Sequence, residues 1–221
     1  MKRIYVTAVP LESNFLLTPR RAEPVNFNLN HTPAPAAFPI VPVLRDTVRE
    51  GDSVKVIAVR QKNAPENRNM DLLRQELNGL RLPDCTLCDI SVAETQEKDA
   101  LLALFGALID AFEEEACYYA CITFGTKTYP LVLFSALRCA EKLMRDIEVK
   151  GIYYREITRR EGREDSARLY DVSALFTLDS IADLAAGGFS GSAREFVHLL
   201  LDPSCDGGGG RNGSGPAPAG H

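Results

Sequence analysis

Apolar runs of strand length alternate along this chain with stretches of helical periodicity, and that alternation leaves few folds open. Lys2–Val9 reads as a first buried strand, Ser53–Val59 as a second, Cys85–Val92 as a third and Tyr118–Ile122 as a fourth. Glu148–Ile157 reads as a fifth, and Arg168–Val172 as a short sixth after a charged turn, Thr158–Asp165. Between them lie the helix candidates Ile40–Glu50, closed by Gly51, and Met70–Leu77, capped by Asn67 or Asn69 and ended at Gly79. A longer helix opens at Thr95 and carries leucines at 101, 102, 104 and 108; another runs from Pro130 through Met144. Ser173 can cap Ala174–Ala186, and Ala193–Leu201 is a last short helix. Strands that alternate with helices in this way predict an α/β fold, a doubly wound and mainly parallel sheet of about six strands with flanking helices.

At 221 residues, 45% hydrophobic and 25% charged, the chain fits one domain over 1–201 followed by a Gly/Pro-rich tail, 202–221, expected to be disordered. Pro10–Phe38 forms a long insert with five prolines (10, 19, 24, 33 and 35) and several asparagines. The net charge of −5 argues against duplex nucleic acid bound on a basic surface. No apolar run is long enough to span a membrane, and the N-terminus lacks a signal peptide's apolar core, so a cytoplasmic protein is expected. Of the six cysteines (85, 88, 117, 121, 139 and 205), Cys85-x-x-Cys88 is the only metal-like pair; all read better as small buried hydrophobes, and no metal or cofactor is expected. Glu113, Glu114 and Glu115 read as a solvated face.

The fourth strand is where chemistry enters. After Tyr118–Ile122 the pattern breaks at Thr123–Thr128, with a glycine, three hydroxyls and Lys127, and Pro130 then suits a helix's first turn. A strand, a small-residue turn and a helix N-terminus make a pocket for anions, with Thr128 as cap, Gly125 permitting close approach and Lys127 adding charge. The same residues would also serve an ordinary strand-to-helix turn with a solvated lysine. A strand order of 3-2-1-4-5-6 sets strands one and four side by side where the order reverses, and ligands bind beyond their C-terminal ends. That brings Thr7, Ala8, Val9, Pro10, Leu11 and Ser13 beside Thr123, Phe124, Gly125, Thr126, Lys127 and Thr128. A G-x-x-x-x-G-K-[ST] P-loop is absent, and so is a G-x-G-x-x-G fingerprint after strand one, which disfavours a nicotinamide or flavin enzyme. No Ser, His and Asp arrangement of hydrolase type is visible.

Four features together resemble the CARF (CRISPR-associated Rossmann fold) family over roughly residues 1–190. Ile122-Thr-Phe-Gly-Thr-Lys-Thr-Tyr-Pro130 is similar to its strand-four signature, and Val149-Lys-Gly-Ile-Tyr-Tyr154 to its strand-five phrase. Asp171-Val172-Ser173 before a Leu-rich helix resembles its Asp-Leu-Thr/Ser element, and the elements follow in the family's order. The family often has Asp near Cys121, a polar residue such as His at Phe124, and arginine where Lys127 stands.

The resemblance implies a Rossmann-like homodimer that binds a cyclic oligoadenylate, tetra- or hexa-adenylate, in a cleft at the dimer interface. No nuclease domain fits after Leu201, and Arg194 and His198 lack the Arg-x(4–6)-His spacing of the RNase often fused there. The chain is then expected to be a ring nuclease independent of metal; a sensor or sponge, or the sensor part of an effector, remains open, as does an unrelated nucleotide-binding protein. Cleavage would use the ring's own 2′-OH, with Lys127 stabilising charge and Ser13 or Thr126 orienting hydroxyl and phosphate. Lys127 would otherwise be a phosphate clamp alone. Arg20, Arg21 and His31 would either form a lid or lie in a solvated loop.

Overall fold

A computed structural model of the chain describes residues 1–12, 16–62, 67–82, 84–160, 163–186 and 191–201. The chain divides into two compact units, Met1–Thr177 and Leu178–His221. The expected tail at 202–221 lies outside the described residues, as do Ser13 and Gly187-Gly188.

The strands are β1 (Lys2–Ala8), β2 (Glu23–Pro24), β3 (Ser53–Gln61), β4 (Cys85–Val92), β5 (Ala116–Cys121), β6 (Ile147–Arg160) and β7 (Arg163–Asp171). The helices are α1 (Ile40–Thr47), α2 (Arg68–Gly79), α3 (Lys98–Ala111), α4 (Tyr129–Leu143), α5 (Ala174–Ala186) and α6 (Ala193–Leu201). All seven strands join one sheet in the order β2-β7-β6-β5-β1-β3-β4. Every pairing is parallel except β6 with β7, so the protein is α/β with a mostly parallel sheet and flanking helices.

The central strands are buried on both faces, which is why they read as near-continuous apolar runs. Tyr5, Val56 and Tyr119 face one core, shared with Leu44 of α1 and Leu73 of α2. Ile4, Ile57 and Tyr118 face the other, shared with Leu108 of α3 and Leu133 and Leu137 of α4. Leu133 and Leu137 lie one helical turn apart and are fully buried, so truncating either to alanine would cost about 2–5 kcal/mol.

The structure corrects the sequence reading at several points. The sheet has seven strands rather than about six, because Glu23–Pro24 inside the insert pairs with Arg168 and Leu169. The expected turn at Thr158–Asp165 is mostly strand: pairing continues to Arg160 opposite Arg163, and 161–162 lie outside the described residues. Cross-strand pairing, not apolar content, sets strand structure there. Glu113 is also no freely solvated charge. Its carboxylate meets Lys55 Nζ at 2.9 Å and Lys2 Nζ at 3.2 Å, and the Lys55 hydrogen bond leads in holding its pKa below the ordinary carboxylate value.

The insert is pinned at points far apart in sequence. Arg155 of β6 is buried and donates to the carbonyls of Ala36 and Ala37 at 3.0 and 2.9 Å. Glu76 of α2 accepts from the Ala37 and Phe38 amides, and Asp46 of α1 accepts from the Asn30 amide at 2.7 Å. His31 lies 3.4 Å from Asp46, near the end of α1 that leads to the start of β3 and away from the strands' C-terminal ends. In the second unit, Ser192 and Glu195 bond reciprocally at the start of α6, forming a capping box.

Candidate functional site

β1 pairs with β5 in parallel register, Thr7 opposite Cys121. On β1's other side β3 runs parallel, with Ala8 opposite Val59, and β4 follows. Four strands therefore end together, and the chain leaving each one meets its neighbours there. A cavity of about 280 Å³ opens at these ends. Its lining includes Ala8, Val9, Pro10 and Leu11 after β1, and Gly125 and Thr126 after β5.

The loop after β1 has no glycine, yet it is fixed. The Pro10 carbonyl accepts from the side-chain amides of Asn67 and Asn69, both at 3.1 Å. Asn67 also caps α2, its oxygen accepting from the Asn69 amide at 3.0 Å, and Val9 donates to the Val59 carbonyl at 2.8 Å. The first turn of α2 thus serves as a clamp on the cavity wall.

The turn after β5 is built around Gly125, whose φ of +104° disfavours any L side chain. Thr128 stands at the N-cap of α4, but its hydroxyl makes no cap bond. It donates instead to Gln96 Oε1 at 2.8 Å and lies 3.1 Å from the Thr126 hydroxyl, tying the turn to the approach to α3. The helix start is closed by backbone bonds, Tyr129 to the Thr126 carbonyl and Val132 to the Thr128 carbonyl, both at 3.1 Å. Among the described residues, no carboxylate lines the cavity.

The other anticipated residues sit as follows. Thr7 is buried, and its hydroxyl donates to the Ala8 carbonyl at 3.3 Å. The Thr123 hydroxyl accepts from the Arg155 amide at 2.7 Å and from the Cys121 thiol at 3.3 Å, so it locks β5 to β6. Burial pushes the Cys121 thiol up. Phe124 packs edge-on to Phe38, 5.8 Å between centroids, with the Arg155 guanidinium 5.5 Å from its ring. Lys127 is exposed, outside the cavity lining, and has no ion pair among the described residues. Ser13 lies outside the described residues. The structure therefore brings Ala8–Leu11 together with Gly125 and Thr126, sets Lys127 one residue from the lining, and uses Thr7, Thr123 and Phe124 within the fold.

Sequence reasoning missed Gln61 at the end of β3, Gln96 before α3, and Tyr129. The strand order held the missing clue, since it places the end of β3 beside that of β1. Tyr129 is 2% exposed, and burial pushes its phenol far above its ordinary range, so it stays protonated. Cys85 and Cys88 fall on opposite faces of β4, each packed against a different core, so this pair does not converge on one ion. Among the described residues no cluster of His, Cys, Asp and Glu is arranged to hold a metal, and no helix is long and apolar enough to cross a membrane. No protein-family model matches the chain, and no curated protein matches it.

Proposed function

We propose that this chain is a CARF-like domain, its sheet Rossmann-like and doubly wound, that binds a cyclic oligoadenylate at the strand-end cleft as a homodimer. The observation that carries this is the shared lining: the segment after β1 and the turn after β5 face one cavity beyond the C-terminal ends of parallel strands. Two further features favour a phosphate-bearing ligand. Gly125 lets the backbone approach closely, and Lys127 stands exposed beside it. A two-fold assembly would present two such clefts to a ring of even symmetry. Leu102 and Leu131, both exposed within the first two turns of α3 and α4, supply apolar surface for that contact.

Ring cleavage is the second reading, favoured by Thr126 in the lining and by the exposed Lys127 next to it, which has no ion pair among the described residues. A ring 2′-hydroxyl gives up its proton to water as its oxygen attacks the neighbouring phosphorus, and the P–O5′ bond breaks. The 5′-oxygen takes up a proton, leaving a 2′,3′-cyclic phosphate and a 5′-hydroxyl. The chain's part is alignment, with the lysine stabilising charge that builds on the phosphate.

Mass spectrometry of the full chain, incubated with cyclic tetra- or hexa-adenylate in EDTA, tests both readings. Retained ring with a raised melting temperature supports binding, and linear product supports cleavage. Neither ring retained, shifted or cut would overturn the proposal.

A further inference from the structure

The two edges of the sheet are finished differently. One is β2, two residues long and closed by Pro24, and a short edge with a proline discourages further pairing. The other is β4, which is eight residues long, keeps an unbroken register with β3 and contains neither proline nor lysine. Its one charged side chain, Asp89, is held by Arg60 of β3 at 2.8 Å.

The direction of β4's backbone groups follows from its two ends. Val54 donates to the Asp84 carbonyl at 2.8 Å, and Lys62 donates to the Val92 carbonyl at 2.7 Å. In a parallel ladder alternate residues bond to the neighbouring strand, so Thr86, Cys88, Ile90 and Val92 turn their N–H and C=O groups to β3. Cys85, Leu87, Asp89 and Ser91 turn theirs outward. Among the described residues, no hydrogen bond closes that outer row.

Beside the row lies a groove of about 420 Å³ that also borders α2. Leu77, Leu82, Cys85 and Leu87 form its apolar part, and Arg74 and Arg81 bring guanidinium groups to it. Arg81 is exposed and has no ion pair among the described residues, while Arg74 meets Asp71 at 2.9 Å on the surface. No carboxylate lines the groove among the described residues. A strand added at this edge would take its main-chain bonds from the open row and set every second side chain over the groove. Apolar side chains there suit the leucines, and carboxylates suit the arginines.

We propose that the β4 edge is a docking site for an extended acidic segment of another protein, which joins the sheet as a further strand. The groove lies by Cys85 and Leu87 at the start of β4, whereas the strand-end cavity meets Val92 at its finish, so neither site depends on the other.

Amide hydrogen exchange of the full chain, followed by NMR, tests the proposal with capped peptides of about nine residues. Valine alternates with glutamate in the probe, and lysine replaces glutamate in the control. In the free chain the Leu87, Asp89 and Ser91 amides should exchange fast while Cys88 and Ile90 are protected. The glutamate peptide, at about ten times its Kd, should slow the first set about tenfold. The lysine peptide should bind about fivefold or more weakly, and Arg81→Glu should abolish that preference while melting with the parent. Failure of both peptides to slow the three amides would overturn the proposal, as would equal slowing by the two. Slow exchange at those amides before any peptide is added would also overturn it, and a mass that falls on dilution would then assign the edge to a second copy of the chain.

Discussion

The ring of Tyr129 fills the space that any side chain on Gly125 would need: a Cβ there would come within 3.0 Å of three tyrosine carbons. One of the three is the Tyr129 Cβ, which is anchored to the helix backbone and cannot swing aside. Together with the φ of +104°, this makes Gly125→Ala costly, by about 1–3 kcal/mol. Urea unfolding should show the loss, and titration of the folded variant with cyclic tetra-adenylate should show weaker binding. A variant as stable as the parent would mean that the turn relaxes freely.

Arg155→Met should be among the most damaging single changes in the molecule. It retains bulk on β6 but leaves the Ala37 carbonyl without the arginine donor and the Ala36 carbonyl with the Arg20 amide alone, at a cost of about 1–3 kcal/mol. Limited proteolysis should cut the variant within 28–38 before any site in the sheet. Unchanged protection of that segment would show that Glu76 and Asp46 hold it alone.

Stability should fall in acid partly through Asp52. Burial opposes its ionised form, but the Arg3 side chain, the Arg49 amide and the N-terminal ammonium outweigh that and hold its carboxyl below the usual value. A carboxyl lowered on folding adds stability above the unfolded-state value of about 3.9, and the gain is lost as pH falls through the lower folded value. The urea midpoint should therefore drop below about pH 4, and Asp52→Asn should flatten that part of the profile. Parallel profiles for the two proteins would contradict this.

Lys127→Ala should separate binding from folding. The side chain is exposed and unpaired among the described residues, so unfolding should change by no more than about 0.5 kcal/mol. Affinity for cyclic oligoadenylate should fall, with a shallower dependence on salt as one phosphate contact is lost. An unaltered salt slope would take Lys127 out of the site.

Leu131→Glu tests the assembly. The leucine is 69% exposed on the first turn of α4; the proposed assembly requires the parent to run as a dimer by light scattering, and a carboxylate at this position should leave a monomer. A parent that runs as a monomer with ring bound would remove the two-fold from the proposal.

The sequence revealed what local pattern controls. β1, β3, β4 and β5 are short apolar runs, and once they are placed in order the meeting of Ala8–Leu11 with Gly125 and Thr126 follows. Residues set by distant partners were hidden. The insert looks unstructured because its anchors, Asp46, Glu76 and Arg155, lie on three other elements. The β6–β7 pairing past Thr158 is charged and therefore read as a turn, although the ladder continues through it. Thr128 looked like a helix cap and instead bonds Gln96, a side chain no local rule would pair with it. Nothing in the composition around Gln61 or Tyr129 foretells a buried oxygen without a partner among the described residues, since that depends on what the fold brings against it.

The two asparagine amides that grip the Pro10 carbonyl mean the cavity wall is rigid before any guest arrives. Folding has already met the entropic cost of ordering this stretch, so contact with a ligand need not. A ligand bound on this side of the proposed cleft would meet a lock-like wall, and differences in affinity among guests should express themselves more in how slowly they depart than in how fast they are captured.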